Sequence, residues 1–240
     1  MFWFRHLHSI IEIAKYFYLA RYTVHNRENV PDNVSGMIAV ANHTCILDPP
    51  LVALCMPEGT QWKLFAAKTW EKTPVSGRLL KQSGAVFIHR DRVDREGLRQ
   101  GLEALKDGFT FGLAPEGTRS KETGQMRKAR NGAAYLAVKS GAGVIPIGIV
   151  NGPQWNKNWK RGRATHLDLY PAKPIYMPDL GRRVRITDLD AYSHYIMIHI
   201  ARQVPAAYHG YYADSPALAA LLRGEDPWPH CLEAEGVKPG

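Results

Sequence analysis

The chain has 240 residues, enough to bury the core of one α/β domain, with no Pro/Ser-rich linker that would divide it. Its 31 Lys and Arg against 22 Asp and Glu leave a formal charge of +9, which calls for an anionic partner: nucleic acid, an anionic membrane surface or a phosphorylated substrate. Three cysteines, odd in number and without C-x-x-C spacing, argue against a disulfide framework and a zinc site, so the expected compartment is reducing and no metal or cofactor is expected.

Residues 2–22 place Trp3, Leu7, Ile10, Ala14 and Phe17 at helical spacing, with Arg5, His8, Ser9, Glu12 and Lys15 on the other side. Arg5, Glu12 and Lys15 interrupt the roughly 20 apolar residues that a membrane span needs. The segment also lacks the apolar core and small-residue cleavage site of a signal peptide. Two readings stay open: an amphipathic helix lying in a membrane interface, or one packed on its own domain. The expected division is a helical segment over residues 1–30, a main domain over 31–209 and a loosely held tail over 210–240, where Gly, Pro, Ala and scattered charge take over.

After the turn signal at Val30-Pro31-Asp32-Asn33, strands and helices alternate. Residues 37–41 read as a strand, 49–56 as a helix and 85–88 as a strand. A helix follows over about 93–106, with Leu98, Leu102 and Leu105 on one face and Gly108 as its stop. Residues 109–114 read as a strand, 132–139 as a helix and 144–150 as a near-continuous apolar strand of the kind covered on both faces. Residues 155–163 read as a basic loop, 165–176 contain another strand, and 191–208 look helical until Pro205 perturbs them. This alternation predicts a single α/β domain with a mostly parallel central sheet flanked by helices, plus the N-terminal amphipathic helix.

Two segments carry candidate chemistry. In Asn42-His43-Thr44-Cys45-Ile46-Leu47-Asp48, the imidazole and carboxylate stand five residues apart, so they would not share a helical face and must meet through a turn. Asp48 before Pro49 and Pro50 is a helix-cap signal that supplies one, leaving residues 43–47 as a strand-to-helix loop. There one ring nitrogen can donate to Asp48 while the other takes a proton. Pro115-Glu116-Gly117-Thr118-Arg119-Ser120 follows a strand, at the end where open α/β sheets place ligands. Arg119 offers a planar fork suited to phosphate, Gly117 permits close backbone approach, and Thr118 and Ser120 add donors. Taken singly, Asp48 is equally a simple cap, and Glu116 with Arg119 a surface ion pair.

These blocks together resemble the glycerolipid acyltransferases, the family containing the 1-acylglycerol-3-phosphate (lysophosphatidic acid) acyltransferases. NHTCILD matches the family's N-H-x-x-x-x-D motif; GAVFIHRD, APEGTRS and VIPIGI resemble its second, third and fourth motifs in order and spacing, covering about residues 24–176. The resemblance implies that His43 is the general base for the acceptor hydroxyl and that Asp48 orients it. It further implies that Arg90, Glu116, Gly117, Thr118 and Arg119 bind the acceptor, with both arginines on its phosphate. The acyl donor would be acyl-CoA or an acyl carrier protein, the acceptor a membrane lipid, and the product phosphatidic acid. No covalent acyl-enzyme is implied. Ile145 and Pro146 would help to shape the acyl pocket.

Departures from the family pattern are Cys45 where Ser is common, His89 in the second motif, and Arg127-Lys128-Ala129-Arg130-Asn131-Gly132 without the usual aromatic. The alternatives kept are another lysophospholipid, a glycolipid or an ornithine lipid as acceptor, and a non-catalytic protein that binds anionic lipid or nucleic acid. No specific nucleic-acid motif accompanies the basic clusters at 155–163 and 182–185. The expected location is peripheral, on the cytoplasmic face of the cell membrane and against its anionic surface.

Overall fold

A computed structural model describes residues 21–73, 76–89, 93–159 and 161–238. The helix expected over 2–22 lies outside these residues except for its last two positions, and Arg90 also lies outside them. Seven strands form one sheet: β1 (Arg21–Val24), β2 (Ile38–Ala41), β3 (Trp62–Ala67), β4 (Val86–Ile88), β5 (Thr110–Leu113), β6 (Val144–Val150) and β7 (His166–Pro171). Their spatial order is β1-β7-β6-β2-β5-β3-β4. All neighbours are parallel except β6 and β7, so β1 and β7 run against the other five. This is the α/β architecture that the alternation predicts.

Helices α1 (Asp48–Cys55), α2 (Ser76–Gln82), α3 (Arg95–Lys106), α4 (Gly132–Ser140), α5 (Gly152–Trp159), α6 (Leu189–Ala201), α7 (Pro216–Arg223) and α8 (Trp228–Ala234) surround the sheet. Alternation along each strand divides the core. Ile38, Val40 and Phe111 pack with Leu136, Ile196 and Met197 on the face covered by α4 and α6. Ala39, Ala41 and Trp62 pack with Leu51, Val52 and Trp155 on the face covered by α1 and α5. The central strands are therefore apolar at nearly every position, as burial on both faces requires. The start of α3 is set by Asp94, whose side chain accepts the Gly97 N–H at 2.9 Å.

Several expectations change. Residues 62–67 show no strand pattern because Lys63 breaks the apolar run, yet they form a strand, with the Lys63 Nζ 4.4 Å above the Phe109 ring. Of the loop expected over 155–163, residues 155–159 belong to a helix, Gly152–Trp159, that buries Trp155. The helix expected to reach 208 ends at Ala201, followed by short 3-10 turns around Pro205. The tail is not loose: α7 and α8 put Ala217, Leu218, Leu221, Trp228, Cys231 and Leu232 into the same core as Phe111 and Ile196. Ala-Leu spacing on α7, capped by Ser215 and stopped by Gly224, escapes notice beside so much Gly and Pro.

Candidate active site

The site forms where β2 and β5 end side by side. Asn42, the first residue past β2, exchanges two hydrogen bonds with Ile149 of β6: its Nδ2 donates to the carbonyl at 2.9 Å, and its Oδ1 accepts the N–H at 2.7 Å. The side chain thus extends the sheet ladder by one rung and fixes the backbone from which His43 departs. Residues 43–47 then turn into α1, as expected. Asp48 is the first residue of α1 and not the residue before it, and its carboxylate does not cap its own helix. It folds back into the loop. Asp48 Oδ2 accepts the N–H groups of Thr44 at 2.6 Å and Cys45 at 2.9 Å, and lies 2.7 Å from His43 Nδ1.

This geometry sets the imidazole's tautomer. A carboxylate that already accepts two backbone N–H groups faces Nδ1 as a third donor, so Nδ1 carries the hydrogen and Nε2 keeps its lone pair. His43 is 8% exposed and Asp48 3%, so water competes little for the pair. Cys45 Sγ sits 3.1 Å from Asp48 Oδ1, and burial, then the nearby carboxylate, raises its thiol far above the usual range. Cys45 is a packed thiol with no nucleophilic character.

The second motif holds this loop from behind. Glu116 is buried, and its two oxygens accept different backbone N–H groups: Oε1 from His43 at 2.8 Å and Oε2 from Arg127 at 2.9 Å. The Ser120 N–H donates to the His43 carbonyl at 2.7 Å. Burial pushes the Glu116 carboxyl up to about 7 against the lowering effect of the two N–H groups. Glu116, expected as an acceptor binder and weighed as an Arg119 ion pair, instead brackets His43 and Arg127. Gly117, at φ 68°, lets the chain reverse, and Arg119 follows along the cavity wall. Thr118 is exposed beside it.

A cavity of about 1090 Å³ opens on these groups. His43, Asp48, Gly117, Arg119 and Arg130 border it at the strand ends; Trp62, Leu64, Phe65, Val52 and Leu98 carry it inward as an apolar trough. Gly112 makes room in its wall, since a Cβ there would stand 2.4 Å from Trp62 Cζ2. Ile46, Val93 and Ile186 line the cavity and are 46%, 77% and 81% exposed, giving it an apolar rim. Ile145 is fully buried in the core and Pro146 lies in β6, where its carbonyl accepts the Ala172 N–H. Asn156, whose Nδ2 donates to the Thr44 carbonyl at 3.0 Å, supports the loop in a way that no sequence signal marks. Among the described residues no group of His, Cys, Asp and Glu has metal-site geometry.

An acyltransferase family model matches residues 21–150, more than half of the chain. The chain belongs to the acyltransferase family. It is 29% identical over 153 residues to a chloroplastic 1-acyl-sn-glycerol-3-phosphate acyltransferase of Brassica napus, covering 62% of this chain but only 43% of that relative's length. It is 24% identical over 193 residues to an N-acylphosphatidylethanolamine synthase of Arabidopsis thaliana, covering 70% and 68%. In structure this acyltransferase-family chain superposes on the 1-acyl-sn-glycerophosphate acyltransferase of Thermotoga maritima with a TM-score of 0.63 and 25% identity, over 80% of this chain and 76% of the other.

Proposed function

We propose that this protein transfers a fatty acyl group from a thioester donor, acyl-CoA or acyl carrier protein, to the free hydroxyl of 1-acylglycerol-3-phosphate, giving phosphatidic acid. The observation that carries this reading is the His43–Asp48 pair standing at the junction of an apolar trough and an arginine-bordered mouth. The trough fits an acyl chain, and Arg119 fits a phosphate through its two-pronged donor geometry. The names of the Brassica and Thermotoga relatives support the same acceptor.

In this mechanism His43 Nε2 takes the hydroxyl proton as the oxygen attacks the thioester carbonyl. The tetrahedral intermediate collapses with cleavage of the C–S bond, and the imidazolium returns the proton to the leaving thiol. Asp48 holds the ring and stabilises its positive charge during the interval. Glu116 acts at one remove, holding the backbone of the base.

The apolar rim supports a mouth that faces a lipid surface, where an acylated acceptor resides. No helix among the described residues is long and apolar enough to cross a membrane. The proposed placement is peripheral, with the acceptor taken from an anionic bilayer at the cytoplasmic face. His43→Ala is expected to lower kcat by about 10²- to 10⁴-fold without unfolding the protein, assayed as thiol release with 1-acylglycerol-3-phosphate in mixed vesicles. Turnover within a few-fold of the original would remove His43 as the base.

A further inference from the structure

Arg130 follows the Pro115–Ser120 segment in the chain and borders the same cavity as Arg119. Its backbone is pinned to the motif loop, the Arg130 N–H donating to the Pro115 carbonyl at 2.8 Å. Its side chain then crosses directly over Gly117: a Cβ at Gly117 would stand 2.8 Å from Arg130 Cδ and 3.0 Å from Nε. The missing side chain at Gly117 thus serves two ends, allowing the left-handed turn at φ 68° and leaving the space that the Arg130 stem occupies. Among the described residues no carboxylate pairs with either Arg119 or Arg130. A third arginine, Arg95, borders the cavity from the first turn of α3 and has no hydrogen bond to this loop pair among the described residues.

We infer that Arg130 is a further phosphate ligand beside Arg119, and that the two together select an acceptor whose phosphate is a monoester over one whose phosphate is a diester. This deepens the proposed function and rests on it. The charge count supplies the reason. A phosphate monoester carries about −1.5 to −2 at pH 7 and three terminal oxygens, whereas a diester carries one charge and two free oxygens. Two guanidinium forks are matched by the first ligand and exceed what the second can satisfy. One arginine alone would serve either.

The test is kcat/KM for 1-acylglycerol-3-phosphate and for its phosphodiester counterpart, 1-acylglycerophosphoglycerol, in the full chain between pH 5 and pH 8. In the original protein the monoester-to-diester ratio should rise as the monoester passes its second ionisation near about pH 6. The other titratable groups on or beside the cavity, His43, Asp48, His89, Asp94, Arg95 and Tyr135 on its lining and Glu116 behind the His43 loop, are common to turnover of both acceptors, so the ratio cancels their effect on the shared step. Arg130→Gln should lower kcat/KM for the monoester by about 10- to 100-fold and for the diester by less than about 3-fold, flattening the pH dependence of the ratio. Arg130→Lys, which keeps the charge and loses the fork, should fall between. Equal losses on both acceptors, or a ratio already flat with pH in the original protein, would overturn the inference. So would a loss confined to KM for the thioester, which would assign Arg130 to the donor. Failure of the original protein to acylate either acceptor would instead refute the proposed function.

Discussion

Replacing Glu116 by Gln tests how the two loops of the site are joined. In the native protein each Glu116 oxygen accepts one backbone N–H, from His43 and from Arg127, in a place with 3% exposure. Protonated Glu116 can still serve both, because a hydroxyl oxygen keeps lone pairs; an amide nitrogen cannot. Glu116→Gln therefore leaves one buried N–H facing a donor, a cost of about 1–3 kcal/mol. The carboxyl is raised from 4.5 to about 7 chiefly by burial. At 1.36 kcal/mol per pKa unit this amounts to about 3 kcal/mol between its two protonation states. A group whose folded pKa exceeds its unfolded value contributes stability that is full below the unfolded pKa and is lost as pH rises through the folded one. The native protein should thus lose this contribution between about pH 4.5 and 7, and the Gln variant should not. In urea titrations the variant should be less stable by about 2 kcal/mol at pH 4.5, and that deficit should shrink towards zero, or reverse, by pH 7.5. At pH 7.5 the variant's kcat should still fall at least about tenfold, because the backbone carrying His43 has lost its anchor. A deficit that stays constant or widens with pH would show that the two N–H groups outweigh burial, and would refute the argument.

Asp48→Asn should lower kcat by at least about 10²-fold with the fold retained, because an amide oxygen in the place of Oδ2 still accepts from Thr44, Cys45 and His43 Nδ1 but carries no charge to stabilise the imidazolium; kinetics and thermal melts of one preparation check both. Gly112→Val should cut activity on long acyl thioesters more than on short ones, because its side chain must displace Trp62 or fill the trough; a length profile that scales uniformly would count against it. Trp228→Ala should destabilise by about 3–5 kcal/mol, read by denaturant titration, if α8 belongs to the core as its contacts indicate.

The α/β architecture and the position of the two motifs at strand ends are legible in the sequence, whereas β3, α5 and the C-terminal helices are not. His43, Asp48 and the Pro115–Ser120 segment stand out because their functional groups recur at a spacing suited to acid–base and anion chemistry, and the chain brings them together as that spacing implies. The role of Glu116 was hidden because its partners are backbone N–H groups, which every residue owns and no sequence pattern records. Strand β3 was hidden for a different reason: a lysine whose ammonium nitrogen sits over the Phe109 ring breaks the apolar run without breaking the ladder. The C-terminal helices escaped because short segments rich in Ala, Gly and Pro have weak intrinsic preference, and it is docking against α6 that stabilises them. Asn156 and Asn42 stand between these cases, ordinary amides whose importance comes from the carbonyls opposite them.

The reversed direction of β1 and β7 has a consequence for encounter with lipid. Because β1 opposes β6, its first residue, Arg21, pairs with His166 beyond the end of β6, and so emerges at the rim where β2 and β5 deliver the His43 loop and the Pro115–Ser120 segment. Whatever precedes Arg21 is tethered at that rim by a single peptide bond. If the leading segment seeks a surface, the tether turns the meeting of mouth and bilayer into an intramolecular event, governed by local concentration and not by bulk diffusion. Two strands laid against the grain of the sheet thereby put the start of β1 and the mouth of the cavity at the same end of the molecule.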